Sequence, residues 1–165
     1  MDKGSAAQPA LLAIDIIKQN FADFDLNKTE ITDLKKYCNY LPDRLIPFFE
    51  GAIKNHHYTK LALKEFQKPT LDLKKIGELM NAHHAVLRDL LKITVPRIDA
   101  MINAALKAGA YGAKIVGSGG GGSIVVLAEP GNEAPIVDAI LAAGAIQAYT
   151  VTVDPGVRTI ANSKI

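Results

Sequence analysis

A chain of 165 residues that is 48% hydrophobic and 22% charged has the balance of a folded domain, long enough to bury most of its apolar surface around one core. A net charge of +2 and an aromatic content of 6% exclude a basic nucleic-acid stripe and a base-stacking platform, so nucleic acid is not an expected partner. Cys38 is the single cysteine, which excludes an internal disulfide and the common structural zinc sites; no metal site is expected, and the setting reads as reducing and cytoplasmic.

Residues 1–8 are small and polar and read as a disordered or cloning-derived start. No apolar run has the form of a signal peptide or a membrane span, so no membrane contact is expected. From Pro9 to Phe21 the residues Leu12, Ile16 and Ile17 recur near helical spacing and predict a first helix. A short second helix is expected near Thr32, with Asp33 in its first turn and an end before Pro42. Leu45, Phe48, Phe49, Ala52, Ile53 and His56 continue a helical face, although Pro47 and Gly51 weaken its early turns, and a further helix is expected from Tyr58.

Thr70 is the expected cap of the next helix, whose apolar stripe runs Leu73, Ile76, Met80, His83 or His84, Leu87 and Leu91. Thr94-Val95-Pro96 opens another, with the face Ile98, Met101, Ile102, Ala105 and Leu106 and a close at Gly109. The period then changes. Ala113 to Val116 and Ser123 to Leu127 suit two strands, Ala134 to Ala143 a helix, Gln147 to Val153 a third strand and Val157 to Ile160 a fourth. Helices first and a small sheet afterwards define an α+β chain.

Chemistry is concentrated in Gly117-Ser118-Gly119-Gly120-Gly121-Gly122-Ser123. So many glycines lose backbone entropy unless unusual dihedrals or a close approach are required. Successive N–H groups in such a bend can bind an anion such as phosphate. Gly117, Gly119 and Gly122 satisfy G-x-G-x-x-G, but a strand follows the loop where a dinucleotide fold needs a helix, and no lysine ends it as in a Walker loop. The alternative is a plain hairpin, which seldom needs four consecutive glycines.

Lys114, one strand position earlier, can add positive charge to a phosphate site or face outward as an ordinary strand lysine. Asp89 and Asp99 flank a turn between helices, where they read first as caps and second as substrate-orienting groups. Adjacent histidines, as in His56-His57 and His83-His84, point about 100° apart on a helix and read as packing rather than as metal ligands.

Gly112-Ala113-Lys114-Ile115-Val116-Gly117-Ser118-Gly119-Gly120-Gly121-Gly122-Ser123 resembles the third, C-terminal motif of the GHMP kinases, named for galactokinase, homoserine kinase, mevalonate kinase and phosphomevalonate kinase. The likeness extends upstream through residues 77–89 and 94–99, and downstream to Ala148-Tyr149-Thr150-Val151 and Pro155-Gly156-Val157-Arg158. Val116 stands where the family usually has threonine, Ser123 where it has cysteine, and Gly120 where many galactokinases have phenylalanine.

The resemblance implies a ferredoxin-like, four-stranded antiparallel sheet with helices on one face, formed by residues 9–165. It also implies ATP-dependent phosphorylation, with Mg2+, of a sugar or alcohol hydroxyl. Galactokinase-like is the preferred subtype, with a mevalonate-kinase-like enzyme or a non-catalytic small-molecule sensor as alternatives. The family's serine-rich ATP loop and catalytic aspartate belong to an N-terminal lobe whose motif this sequence lacks. That lobe is therefore an expected partner, no catalytic residue is expected in this chain, and the chain alone is expected to be inactive. Gly117 to Gly122 are expected to wall the phosphate cleft, with Lys114, Ser123 and Asp89 as further candidates.

Overall fold

A computed structural model describes residues 6–117, 119–153 and 156. Helix α1 (Ala7–Asn20) begins inside the stretch expected to be unstructured and buries Ala13, Ile14 and Ile17, whereas Leu12, expected inward, is exposed. A 3-10 turn at Ile31–Asp33 leads into α2 (Leu34–Cys38), where Asp33 Oδ2 accepts the Glu30 N–H at 2.9 Å.

Helix α3 (Ile46–Phe66) runs unbroken for 21 residues. Pro47 and Gly51 do not loosen its early turns as expected, and no separate helix starts at Tyr58. Pro47 lies in the first turn, where no intrahelical N–H bond is lost, and Gly51 makes room for Leu91, whose Cδ2 would lie 2.6 Å from an added methyl.

Helix α4 (Leu73–Ala85) is capped by Asp72, which accepts the Lys75 N–H at 3.0 Å. Thr70, the expected cap, lies two residues too early to reach those first-turn amides. A π turn, Val86–Leu90, prolongs α4, and α5 (Pro96–Lys107) begins on its proline. Strands β1 (Gly112–Val116) and β2 (Ser123–Leu127) pair antiparallel, from Gly112 opposite Leu127 to Val116 opposite Ser123, and α6 (Glu133–Ala142) follows.

The result is a helix-rich α+β fold with a small antiparallel sheet that has two strands among the described residues. Gln147–Val153 has no ladder partner among them, and the fourth expected strand lies outside them. Alternating Tyr149, Val151 and Val153 supply strand propensity, but propensity does not supply a partner.

Burial falls into two clusters rather than the one core expected. The first joins α1, α2 and the first half of α3 through Ile17, Tyr37, Phe49 and Ile53. The second lies between the sheet and α5 and α6, with Ile98, Met101, Ile102, Ala113, Ile115 and Ile136 at its centre. Helix α3 spans both, packing on α1 at one end and on α4 at the other. No helix of the described residues is long and apolar enough to cross a membrane.

Candidate functional site

The glycine loop joins β1 to β2, so its base is fixed by whatever holds β1. Alternation sends Ala113 and Ile115 into the second cluster. Their N–H groups point away from β2, toward α4, and α4 answers with side chains. Asn81 Oδ1 accepts the Ala113 N–H at 2.9 Å while its Nδ2 donates to the Tyr111 carbonyl at 3.2 Å. One side-chain amide thus replaces the peptide group of a neighbouring strand. One turn further on, His84 Nδ1 accepts the Ile115 N–H at a longer 3.5 Å.

This substitution requires α4 to lie against the strand backbone. Gly77 and Gly112 permit it: a methyl on either would run into the backbone around the other. Gly77, Asn81 and His84 are spaced four and three residues apart and form one helix face. Replacing Asn81 with Ala leaves the buried Ala113 N–H and the half-buried Tyr111 carbonyl without partners. Denaturant unfolding is expected to show a loss of about 2 to 3 kcal/mol, with Asp at the same position falling in between.

His84 is 3% exposed, and its Nε2 faces Asp99 Oδ1 at 3.4 Å, a contact too poorly aligned to be a hydrogen bond. Asp99 also accepts the Thr94 hydroxyl at 3.1 Å, so it does not cap the start of α5 through a backbone amide as first expected. Burial pushes the His84 imidazole below its ordinary value, partly opposed by Asp99. The acceptor role of Nδ1 fits the neutral ring. Burial, with the Lys114 charge nearby, pushes His83 down to about 4.

Both histidines bind protons more weakly folded than unfolded, so the unfolded chain takes up the excess as pH falls below about 6.5. Stability present at neutral pH is lost from there toward pH 4, by on the order of 2 kcal/mol for His83. Thermal melts across that window are expected to show a falling Tm, with the slope reduced in His83→Gln; an unchanged slope in that variant contradicts the assignment.

In the loop itself Gly117, Gly119, Gly120, Gly121 and Gly122 all have φ between +78° and +139°, the left-handed range that side chains resist. Open space lies before Gly117, Gly120 and Gly121, where an added methyl would meet nothing within 4 Å. Gly119 is different. A methyl there would sit 2.5 Å from the Ile93 carbonyl oxygen, and that same oxygen accepts the Gly120 N–H at 2.7 Å. Gly120 is thereby committed to the protein, and the amides left to meet an anion are those of its neighbours.

Lys114 is half-buried, its Nζ donates to the Ile115 carbonyl at 2.9 Å, and burial pushes it below its ordinary value. It is neither a freely solvated strand lysine nor placed against the loop by a contact. Ser123 is exposed at the start of β2. Asp89 is exposed and gripped by its neighbour Arg88 through bonds of 2.7 and 2.8 Å, so it caps no helix. Ser118 lies outside the described residues. Beside the loop, a cavity of about 860 Å3 reaches from Gly121 and Gly122 along β2, walled by Ile98 and Met101 of α5, by Ile136 and Ile140 of α6 and by residues 144–151.

Comparison with known proteins places this arrangement. Residues 62–147, just over half of the chain, match the family described as GHMP kinases C terminal. A mevalonate kinase of Pyrococcus horikoshii is 33% identical over 79% of this chain and 38% of its own length. A galactokinase of Chloroflexus aggregans is 32% identical over 74% of this chain and 31% of its own length. The crystal structure of Lactococcus lactis galactokinase complexed with galactose superposes with a TM-score of 0.72 at 26% identity, covering 87% of this chain and 38% of that one. The chain belongs to the GHMP kinase family, as its C-terminal domain. It spans between 31% and 38% of the length of these relatives.

Proposed function

We propose that the chain is the C-terminal lobe of a galactokinase-type sugar kinase and that its glycine loop walls the phosphate side of the ATP cleft. The observation that carries the reading is the loop geometry: five glycines in left-handed conformations, with open space before three of them. Amides presented without Cβ atoms suit the closely spaced oxygens of a phosphate chain. Phosphoryl transfer depends on positioning and on charge neutralisation, both of which N–H dipoles gathered around a phosphate would supply.

The residues available fit one half of that task. Gly117, Gly119, Gly121 and Gly122 would hold phosphate oxygens. Among the described residues no three His, Cys, Asp or Glu side chains cluster as a metal cage, and a magnesium ion arriving with ATP would be held chiefly by the phosphate oxygens.

Mevalonate-type acceptors remain in the test because the galactokinase and mevalonate kinase relatives match almost equally well. The test joins the chain to its upstream coding sequence and screens galactose, other hexoses and mevalonate for ATP consumption. Galactose turnover by the joined protein and none by the chain alone is expected. Turnover with mevalonate only would move the assignment to that enzyme, and a reading frame with no upstream lobe would favour a non-catalytic small-molecule sensor.

A further inference from the structure

Between the π turn and α5 lies a five-residue link, 91–95, that the phosphate reading does not use. It contains Lys92, the one non-glycine residue with positive φ among those described, at +55°. That conformation costs roughly 1 to 2 kcal/mol and persists only where its surroundings impose it. Its effect is to turn Ile93. The Ile93 N–H then donates to the Leu87 carbonyl at 3.1 Å, while the Ile93 carbonyl accepts from Gly120 at 2.7 Å and abuts Gly119. The next residue, Thr94, is held by its hydroxyl to Asp99 Oδ2 at 3.1 Å. The other oxygen of Asp99 is buried and directed at the buried Nε2 of His84, whose ring meets β1 through Ile115.

We propose that Thr94 and Asp99 are positioning residues for the glycine loop, acting through the Ile93 carbonyl that anchors Gly119 and Gly120. Asp99 ties the link to the start of α5 and faces the histidine behind β1, so both ends of the loop's support converge on one carboxylate. Neither residue touches the loop. Their contribution is to keep the Ile93 carbonyl where it takes up the Gly120 amide. The functional meaning of that geometry rests on the phosphate reading above, whereas the mechanical coupling does not.

The test uses the chain itself, labelled with 15N, as wild type and as Thr94→Val, Thr94→Ser and Asp99→Asn. Amide exchange of Gly120 is read against exchange of Ile17 and Phe49 in the distant first cluster, and inorganic triphosphate is titrated against the amides of Gly121 and Gly122. Thr94→Val and Asp99→Asn are expected to speed exchange at Gly120 by about tenfold while Ile17 and Phe49 change less than about twofold. Thr94→Ser, which keeps the hydroxyl, is expected to behave as wild type, and triphosphate affinity is expected to fall about fivefold in Thr94→Val.

Gly120 exchange that is unchanged, or that rises only in step with Ile17 and Phe49, overturns the proposal, because a merely structural role moves all three together. If triphosphate leaves the wild-type loop amides unmoved, the phosphate reading fails, and the exchange comparison still decides whether Thr94 and Asp99 hold the loop.

Discussion

Replacing Gly112 with Ala is expected to cost upwards of about 3 kcal/mol and to lower Tm by about 6 to 12 °C, measured by denaturant and thermal unfolding. The added methyl would collide with the backbone of Gly77, and backbone on a helix cannot step aside as a side-chain end can. Moving α4 outward to relieve the collision pulls Asn81 away from Tyr111 and Ala113, and His84 away from Ile115. The steric and hydrogen-bond losses are therefore coupled. Gly51→Ala is the matched control, since the nearest atoms to its methyl belong to the Leu91 side chain, and about 1 kcal/mol is expected there. Equal tolerance of the two substitutions would show that the close approach of α4 to β1 is not what fixes the sheet.

On the proposed function, Gly119→Ala in the chain joined to its proposed upstream lobe is expected to lower kcat/KM by about a hundredfold while changing Tm by only about 2 to 4 °C. Two effects combine at this position. The dihedral at φ +89° resists a side chain, and the methyl would press on the Ile93 carbonyl at 2.5 Å. The loop must then leave the carbonyl that anchors Gly120, and a displaced cradle loses charge stabilisation worth about 3 kcal/mol in a transition state. Gly120→Ala meets open space and bears only the dihedral strain, so a smaller loss, about tenfold, is expected. Steady-state kinetics on the two variants separates displacement from strain, and equal activities would remove the Ile93 contact from the account.

The sequence disclosed those elements whose information is local. The α5 face Ile98, Met101, Ile102 and Ala105 is buried as its period required, and β2 spans the residues its composition marked. Glycine density located the loop because only left-handed dihedrals and close approach justify it. Hidden from one-dimensional reading were the contacts that cross between elements. The apolar stripe of α4 included His83 or His84 among its inward positions, but it passed over Gly77 and Asn81, which with His84 form the face against β1 and are small and polar where apolar residues were sought. Their helical spacing was the available signal. It becomes meaningful only once a strand backbone is known to lie against it.

Other misses have the same origin. Pro47 and Gly51 looked like weak points of the helix because the first-turn position of the proline and the Leu91 neighbour of the glycine are not written in the sequence. Gly120 looked like an anion donor until Ile93, 27 residues earlier, accepted its N–H. Asp89 looked like a cap, and Arg88 beside it takes both its oxygens. Strand propensity in Gln147–Val153 was legible, but pairing is a property of two segments and not of one.

Hydrogen exchange across residues 117–123, measured by mass spectrometry on the chain joined to its proposed upstream lobe, with and without a non-hydrolysable ATP analogue, tests the proposed phosphate role of the loop most directly. Slowed exchange in that peptide on nucleotide addition, abolished in Gly119→Ala, is the predicted result. Nucleotide binding that protects other segments and leaves this peptide exchanging at its free rate would contradict it.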